Sequence, residues 1–246
     1  HLYLAVTRMK KELEEYIESH KDWRKNAYEM SKRYIQEGLR DRSLTRDLDW
    51  GIDVPKDGFG DKKIYIWAEN VLGYLSDCYT LCGQQGIDFY EVWNSSRQYY
   101  VHGKDNIPFH TIILPSLLLG RTDVRLKLPD DIISSEYLTL EGRKISSSGN
   151  WAIWVKDIIE RYNPDSIRYF LISNGPEKRD TDFTWREFIN SHNGELLGAY
   201  GNFVNRSLVF IQKNFENKIP EARCNENILQ SLTNIYPRVG ELIEQG

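Results

Sequence analysis

Two short stretches gather the residue types that handle charged ligands. HGKD, residues 102–105, sets a glycine beside a lysine and an aspartate, and Phe109 and His110 follow within the next turn or two. Glycine lets a ligand settle against main chain. The same four residues also suit an ordinary strand-to-helix turn carrying surface charges. GRKISSSGN, residues 142–150, supplies Arg143, Lys144 and three consecutive serines between two glycines. Its lysine and its N–H and O–H donors can stabilise negative charge developing on a polyphosphate. It matches neither GxxxxGK[ST] nor GxGxxG, so by pattern alone a solvated turn fits as well. His110 reads either as a hydrogen-bonded core residue on an apolar helix face or as a working side chain. No HExxH and no Ser/His/Asp order stands out, and Asp130 and Asp131 read as turn caps.

The elements that must position these residues follow an α/β grammar. Leu2–Val6 reads as a strand. Residues 8–37 carry apolar side chains at a period near 3.6 and read as two helices broken around Ser19–Asp22. Residues 39–62, with Gly51, Pro55, Gly58 and Gly60, read as loop or short irregular strands. Ile64–Trp67 reads as a compact strand with Glu69 at its C-terminal end, followed by a helix over 71–85 with a polar break at Ser76 and Asp77. A strand ending at Val101 or His102 leads through the HGKD turn into a helix over 107–119, despite Pro115. Ligands in such sheets sit beyond the strand C-termini, which is where Glu69, His102, Gly103, Lys104 and Asp105 fall. Trp67 and Tyr74 form either an aromatic pocket or a packed core pair. Glu69 either receives an ammonium or hydroxyl or caps the next helix.

Beyond the loop, 155–161 and 164–172 read as helices, with Asn163 as cap and Pro164 at the first position. Residues 173–182 read as a polar turn and 185–193 as another helix. From Glu195 the chain reads as all-helical. A stripe runs from Leu196 to Ile211, Pro220 closes it, and a last helix covers 228–243 with Pro237 as a possible kink. The shift from α/β to all-helical falls near residue 190.

Composition narrows the functions. The chain has 246 residues with 40% hydrophobic and 28% charged content, which supports one large or two smaller packed domains. A formal net charge of −4 argues against a general DNA-coating protein, which needs a strong positive field. A local basic strip touching RNA remains compatible with it. Cys78, Cys82 and Cys224 point to a reducing compartment, and Cys78 and Cys82 read as small buried hydrophobes rather than a zinc knuckle. No run of 18 apolar residues exists, so no membrane span is expected. The chain opens HLYLAVTRM as if in mid-domain, so a fragment is expected.

Five stretches together resemble the methionyl-tRNA synthetases, a family of class I aminoacyl-tRNA synthetases. IYIWAENVLGY (64–74) resembles the family strand VYVWxDAPIGY, and YYVHGKDNIPFHTIILPSLL (99–118) resembles FxGKDxxxFHxxxxPxxL. EYLTLEGRKISSSGN (136–150) sits where the family carries Lys-Met-Ser-Lys-Ser. YNPDSIRYFLISNGPEKRDTDFTWREF (162–188) and GELLGAYGNFVNRSL (194–208) match the helix and turn that follow and the opening of the anticodon-binding domain.

The resemblance implies the second half of a Rossmann-like catalytic domain over 1–142, a signature loop and stem-contact region over 143–190, and a partial helical anticodon-binding domain over 191–246. The implied activity is ATP-dependent attachment of methionine to tRNA(Met) in the cytoplasm, with ATP and Mg²⁺. The family's His-Ile-Gly-His signature and a connective insertion, where any zinc would bind, are expected before His1. The chain alone is therefore expected to be inactive. Trp67, Tyr74, Phe109 and His110 are implied walls of the methionine pocket, with His110 a weak donor to the sulfur. Glu69 is implied on the substrate side. Gly103 and Asp105 are implied on the ATP side, Asp105 near the ribose, while Lys104 either orients locally or approaches phosphate. Lys144 matches the first signature lysine, and Asn202 and Arg206 match positions that approach the anticodon.

Three departures stand out: Glu69 where Asp is common, Val71–Leu72 for Pro-Ile, and Ser147 for the second signature lysine. They leave room for a synthetase-like paralogue that binds RNA or a protein without aminoacylating. Oligomeric state and initiator-versus-elongator preference are not legible.

Overall fold

The computed structural model describes residues 1–219, 221 and 224–245. The chain forms two compact units. One comprises His1–Tyr137 with Pro176–Arg179, the other Leu138–Gly175 with Asp180–Gly246.

In the first unit, β1 (Tyr3–Leu4) is shorter than the expected strand. It pairs antiparallel with β2 (Arg42–Ser43), and β3 (Thr45–Arg46) pairs antiparallel with β4 (Lys63–Ile64). Between them lie α1 (Lys10–Glu18) and α2 (Lys25–Gln36), the two helices that the periodicity predicts. Leu13, Tyr16 and Ile17 of α1 and Ala27, Ser31 and Ile35 of α2 form buried stripes at helical spacing. Polar hooks fix this packing. Tyr16 Oη donates to the Pro129 carbonyl at 2.8 Å, Trp23 Nε1 to the Asp130 carbonyl at 2.6 Å, and Ser31 Oγ to Thr111 Oγ1 at 2.8 Å.

The strand expected at Ile64–Trp67 stops at Ile64. It pairs with the two-residue β3, and Lys63 adds an isolated bridge to Asp53. The chain turns instead into a one-turn helix, α3 (Ile66–Glu69), with the Ala68 N–H on the Tyr65 carbonyl at 2.8 Å. Trp67 and Glu69 therefore stand on a helix rather than at a strand end. Helix α4 (Gly73–Gln85) runs unbroken through Ser76 and Asp77. Ser76 faces solvent and its Oγ donates back to the Leu72 carbonyl at 3.3 Å, so it does not interrupt the backbone ladder. α5 (Phe89–Ser95) follows, capped by Asp88, whose Oδ1 accepts the Glu91 N–H at 2.7 Å.

β5 (Tyr99–Gly103) and β6 (Asp131–Ser135) pair in parallel, with Tyr99 opposite Asp131 and Gly103 opposite Ser135. Their crossover starts with a 3-10 turn at Lys104–Asn106. A π-helical turn at Phe109–Ile113 follows, then α6 (Leu114–Gly120). Pro115 sits in the first turn of α6, where its missing N–H costs little. Ile107, Leu114 and Ile132 of this β–α–β unit share one core with Leu13 and Ile17. Asp130 and Asp131 do not cap a turn of their own. Asp131 takes Arg97 Nε and Nη2 at 2.7 and 3.1 Å, while Asp130 accepts the Gln98 N–H and Lys127 Nζ, both at 2.8 Å.

The second unit holds a three-stranded sheet in the order β8–β7–β9, formed by β7 (Leu138–Leu140), β8 (Arg143–Lys144) and β9 (Thr181–Phe183). β8 is antiparallel and β9 parallel to β7. β9 falls partly within the expected polar turn; three residues with only Phe183 fully buried leave no periodic signal. α7 (Val155–Ile159), α8 (Pro164–Ser173) and α9 (Trp185–Ser191) complete the core of Leu140, Ile158, Ile167, Phe170, Phe183 and Phe188. Asn163 caps α8 as expected, its Oδ1 accepting the Asp165 N–H at 2.8 Å.

A π-helical turn, His192–Gly201, leads into α10 (Asn202–Asn214), and α11 (Glu226–Gln245) contains Pro237. Pro220 lies outside the described residues, and α10 already ends at Asn214. The expected stripe is only partly covered: Leu197, Tyr200, Phe203 and Leu208 are open to solvent, while Leu196, Val204 and Ile211 are half-buried. No helix among the described residues is long and apolar enough to cross a membrane.

Candidate functional site

The first unit builds an aromatic and imidazole cluster where α3, α4, β5 and the π turn meet. Trp67 of α3 stacks on Phe109 with ring centroids 4.8 Å apart and planes 27° from parallel. Phe109 and His110 open the π turn, a helix defect that recurs at functional sites. His110 is buried at 5% exposure. Its Nδ1 lies 2.8 Å from the Asn106 carbonyl, and its Nε2 lies 2.9 Å from Tyr74 Oη. A carbonyl can only accept, so Nδ1 carries the proton, and Tyr74 donates to the Nε2 lone pair. Burial pushes the His110 imidazole down to about 4, with His102 adding to the fall, so the ring is neutral at pH 7. Both nitrogens are thus engaged. The expected donation from His110 to a thioether sulfur is not available in this arrangement.

His102 stacks on His110 at 4.3 Å and 18°. Its Nδ1 donates to the Gly103 carbonyl at 3.0 Å, its Nε2 is buried without a partner, and burial lowers its pKa. Tyr100 packs edge-on against Tyr74 at 5.2 Å, and burial raises its phenol.

A cavity of about 660 Å³ in this unit is lined by Trp67, Phe109 and Asp105, together with Tyr65, Arg40 and Arg46. Arg46 stacks over the Tyr65 ring at 4.1 Å. Tyr74 lines a different cavity of about 450 Å³, beside Cys78, Trp93 and Tyr100. Trp67 and Tyr74 are therefore joined through the adjacent Phe109 and His110 rather than by facing one another. Glu69 ends α3, half-buried, and Gly103 ends β5. In the turn that follows, Lys104 is held by Glu136 Oε2 at 2.5 Å, and Tyr137 Oη donates to Asp105. Glu136 and Tyr137 open the EYLTLEG stretch, but nothing in their types or spacing marked either as a site residue. His102 was visible only as a strand end.

In the second unit, the loop of residues 142–150 is a closed hairpin. Ser146 and Trp151 exchange two backbone hydrogen bonds at 2.9 Å, and Ser146 Oγ accepts the Gly149 N–H at 3.0 Å. Arg143 stacks over Trp151 at 4.1 Å, and Trp151 Nε1 donates to the Leu140 carbonyl at 3.0 Å. At the base, the Gly142 N–H donates to both oxygens of Asp182, at 3.0 and 2.8 Å. Gly142 has φ 72°, a left-handed conformation that glycine adopts without strain. Lys144 stands on the exposed edge strand opposite Thr139, and Ser147 is exposed at the hairpin tip. Asn202 and Arg206 lie one helical turn apart on α10. Both line a shallow depression of about 670 Å³ with Phe203 and Phe210.

The parallel β–α–β unit whose crossover opens on a Gly-Lys-Asp turn, the lysine hairpin and the helical C-terminal part belong to a chain of the class I tRNA synthetases. Within that class the chain belongs to the family described as tRNA synthetases class I (M), whose family model matches residues 1–208. It is 52% identical over its whole length to methionine–tRNA ligase 1 of Alkaliphilus oremlandii and to methionine–tRNA ligase of Bacillus cereus (strain G9842). It spans 45% of the length of each of these relatives. A solved structure of Mycobacterium tuberculosis methionyl-tRNA synthetase, in complex with methionyl-adenylate, superposes with a TM-score of 0.83. That superposition covers 98% of this chain and 47% of the other at 22% identity, a likeness of fold. The mixed α/β fold with Rossmann-like elements and a helical region is the one expected.

Proposed function

We propose that the full-length protein carrying this chain is a methionine–tRNA ligase, and that the chain supplies part of its catalytic domain and the start of its anticodon-binding domain. The observation that carries this reading is the 52% identity to methionine–tRNA ligases along the entire chain. The neutral aromatic–imidazole cluster supports it. A thioether is apolar and polarisable and packs well on aromatic edges. An uncharged His110, fixed by Asn106 and Tyr74, spares the cluster the desolvation cost of a buried charge beside an apolar ligand.

In the reaction, a methionine carboxylate oxygen attacks the α-phosphorus of ATP and pyrophosphate leaves. A hydroxyl of the 3′-terminal adenosine of tRNA(Met) then attacks the activated carbonyl and AMP leaves. The protein's part is to hold the reactants and stabilise charge. Trp67 and Phe109 form one wall for the methionine side chain, His110 and Tyr74 set the shape behind it, and Glu69 faces the substrate side. Gly103 lets the nucleotide approach main chain, and Asp105 accepts from a ribose hydroxyl. Lys144 approaches the phosphates. Lys104, paired with Glu136, orients the turn rather than meeting phosphate. Asn202 and Arg206 present polar groups to the anticodon.

Among the described residues no group of three or more His, Cys, Asp or Glu side chains could hold a metal ion. Mg²⁺ accompanies ATP as part of the substrate, and any zinc is assigned to the connective segment. The functional segments of this reading are 1–142, 143–190 and 191–246, and the compartment is the cytoplasm.

Methionine-dependent ATP–pyrophosphate exchange tests the reading. The full-length protein is expected to exchange, and Lys144→Ala to lower kcat by roughly a hundredfold. Residues 1–246 alone are expected to be inactive. Absence of exchange in the full-length protein would replace the enzyme by a synthetase-like RNA- or protein-binding module.

A further inference from the structure

The Asp105 carboxylate is already engaged. Tyr137 Oη donates to its Oδ1. The Tyr137 ring is held from beneath, because Lys104 Nζ lies 3.9 Å from its centroid. Lys104 in turn binds Glu136 Oε2 at 2.5 Å, and both side chains keep less than a fifth of their surface, 18% and 17%. Asn26 Nδ2 of α2 donates to Glu136 Oε1 at 2.9 Å, and Ser134 Oγ of β6 donates to Asn26 Oδ1 at 2.6 Å. This half-buried polar shelf is joined by three side-chain contacts. The phenol and the carboxylate resting on it are both exposed, Tyr137 at 40%. Asp105 also lines the cavity walled by Trp67 and Phe109.

A phenol hydroxyl on a carboxylate takes the place that a ligand hydroxyl would take. We propose that Tyr137 is an internal competitor for the nucleotide: its O–H occupies Asp105 when the nucleotide side is empty and yields to a ribose hydroxyl when ATP binds. This rests on the reading of Asp105 as the ribose acceptor. The exchange replaces one O–H···carboxylate bond by another of similar strength, so it tunes apparent affinity rather than forbidding binding. Only the fraction of molecules with Asp105 released is ready for ATP, and apparent affinity is weakened by that fraction. Neither the Lys104–Glu136 pair nor the stacking of Lys104 on the ring uses the phenol oxygen, so phenylalanine at 137 keeps both and removes the O–H that competes for Asp105.

The experiment is methionine-dependent ATP–pyrophosphate exchange by the full-length protein. Tyr137→Phe is expected to lower the KM for ATP about three- to tenfold while the KM for methionine stays in place. A merely structural role would not improve one substrate alone. Asp105→Asn is expected to raise the KM for ATP, and the double variant to match Asp105→Asn, because no competitor matters once the carboxylate is gone. If Asp105→Asn raises the KM and Tyr137→Phe leaves it unchanged or higher, the competitor is refuted and the ribose reading stands. If Asp105→Asn has no effect, the ribose reading fails and the competitor with it. Tyr137→Met gives the same decision should the phenylalanine variant not fold.

Discussion

The protonation of His110 gives a prediction that can be worked through from the geometry. The ring is 5% exposed and held neutral by burial, with its pKa near 4 against an unperturbed value of 6.5. An unfolded chain takes up a proton on this residue as the pH falls through about 6.5, while the folded chain resists until about 4. Within that window the unfolded state binds more protons, so acid favours unfolding. The stability contributed by neutral His110 is fully present above about pH 6.5 and declines as the pH falls toward 4. Between pH 7.5 and pH 5 the loss is about 2 kcal/mol. His102 stacks on His110 and its pKa is also lowered, so it pushes in the same direction.

The assay compares wild type with His110→Gln by urea unfolding across that pH range. The shared carboxylate titrations largely cancel in the difference, and the wild-type curve is expected to fall more steeply by about 2 kcal/mol. Imidazole NMR gives the direct readout. Of five histidines, the resonance missing from the variant should not titrate between pH 7.5 and 5. A resonance that titrates near 6.5, or stability curves that run parallel, would refute the burial argument and the tautomer built on it.

Three other outcomes follow from the same contacts. Tyr74→Phe leaves a buried Nε2 lone pair unmet and is expected to cost about 1–3 kcal/mol of stability. In the full-length protein it should raise the KM for methionine more than that for ATP. Asp182→Asn weakens the anchor on the Gly142 N–H and is expected to speed limited proteolysis within 142–150, while the core around Phe170 keeps its amide protection. Arg206→Glu is expected to raise the KM for tRNA at least tenfold and leave ATP–pyrophosphate exchange in place.

What the sequence could and could not disclose divides along physical lines. α1, α2, α8 and α11 were legible because each repeats its apolar or capping signal over several turns. Asn163 before Pro164 announced a helix start, and the structure makes the bond that this pair implies. Ile64–Trp67 misled because four large apolar residues in a row suit a strand; pairing with β3 ends at Ile64, and the chain turns into α3 with Ile66 and Trp67 exposed. The π turn at 109–113 is invisible to periodicity, since one extra residue in a turn does not change which residues are apolar. Yet that turn places His110 against Asn106 and Tyr74. Residue types in the candidate site were readable, but the Tyr74–His110 link and the seat of Tyr137 on Asp105 depend on contacts 36 and 32 residues apart in sequence.

The hairpin of residues 142–150 has a further consequence. A slack loop carrying Lys144 would lose conformational entropy each time it settled on a ligand. Here Ser146, Trp151 and Asp182 already remove most of that freedom when the chain folds. The pairing of Arg143 and Lys144 with Leu140 and Thr139 ties the stem of the hairpin to the sheet. Lys144 is therefore presented from one fixed place beside Thr139, whereas the tip beyond Ser146 brings only the hydroxyl of Ser147.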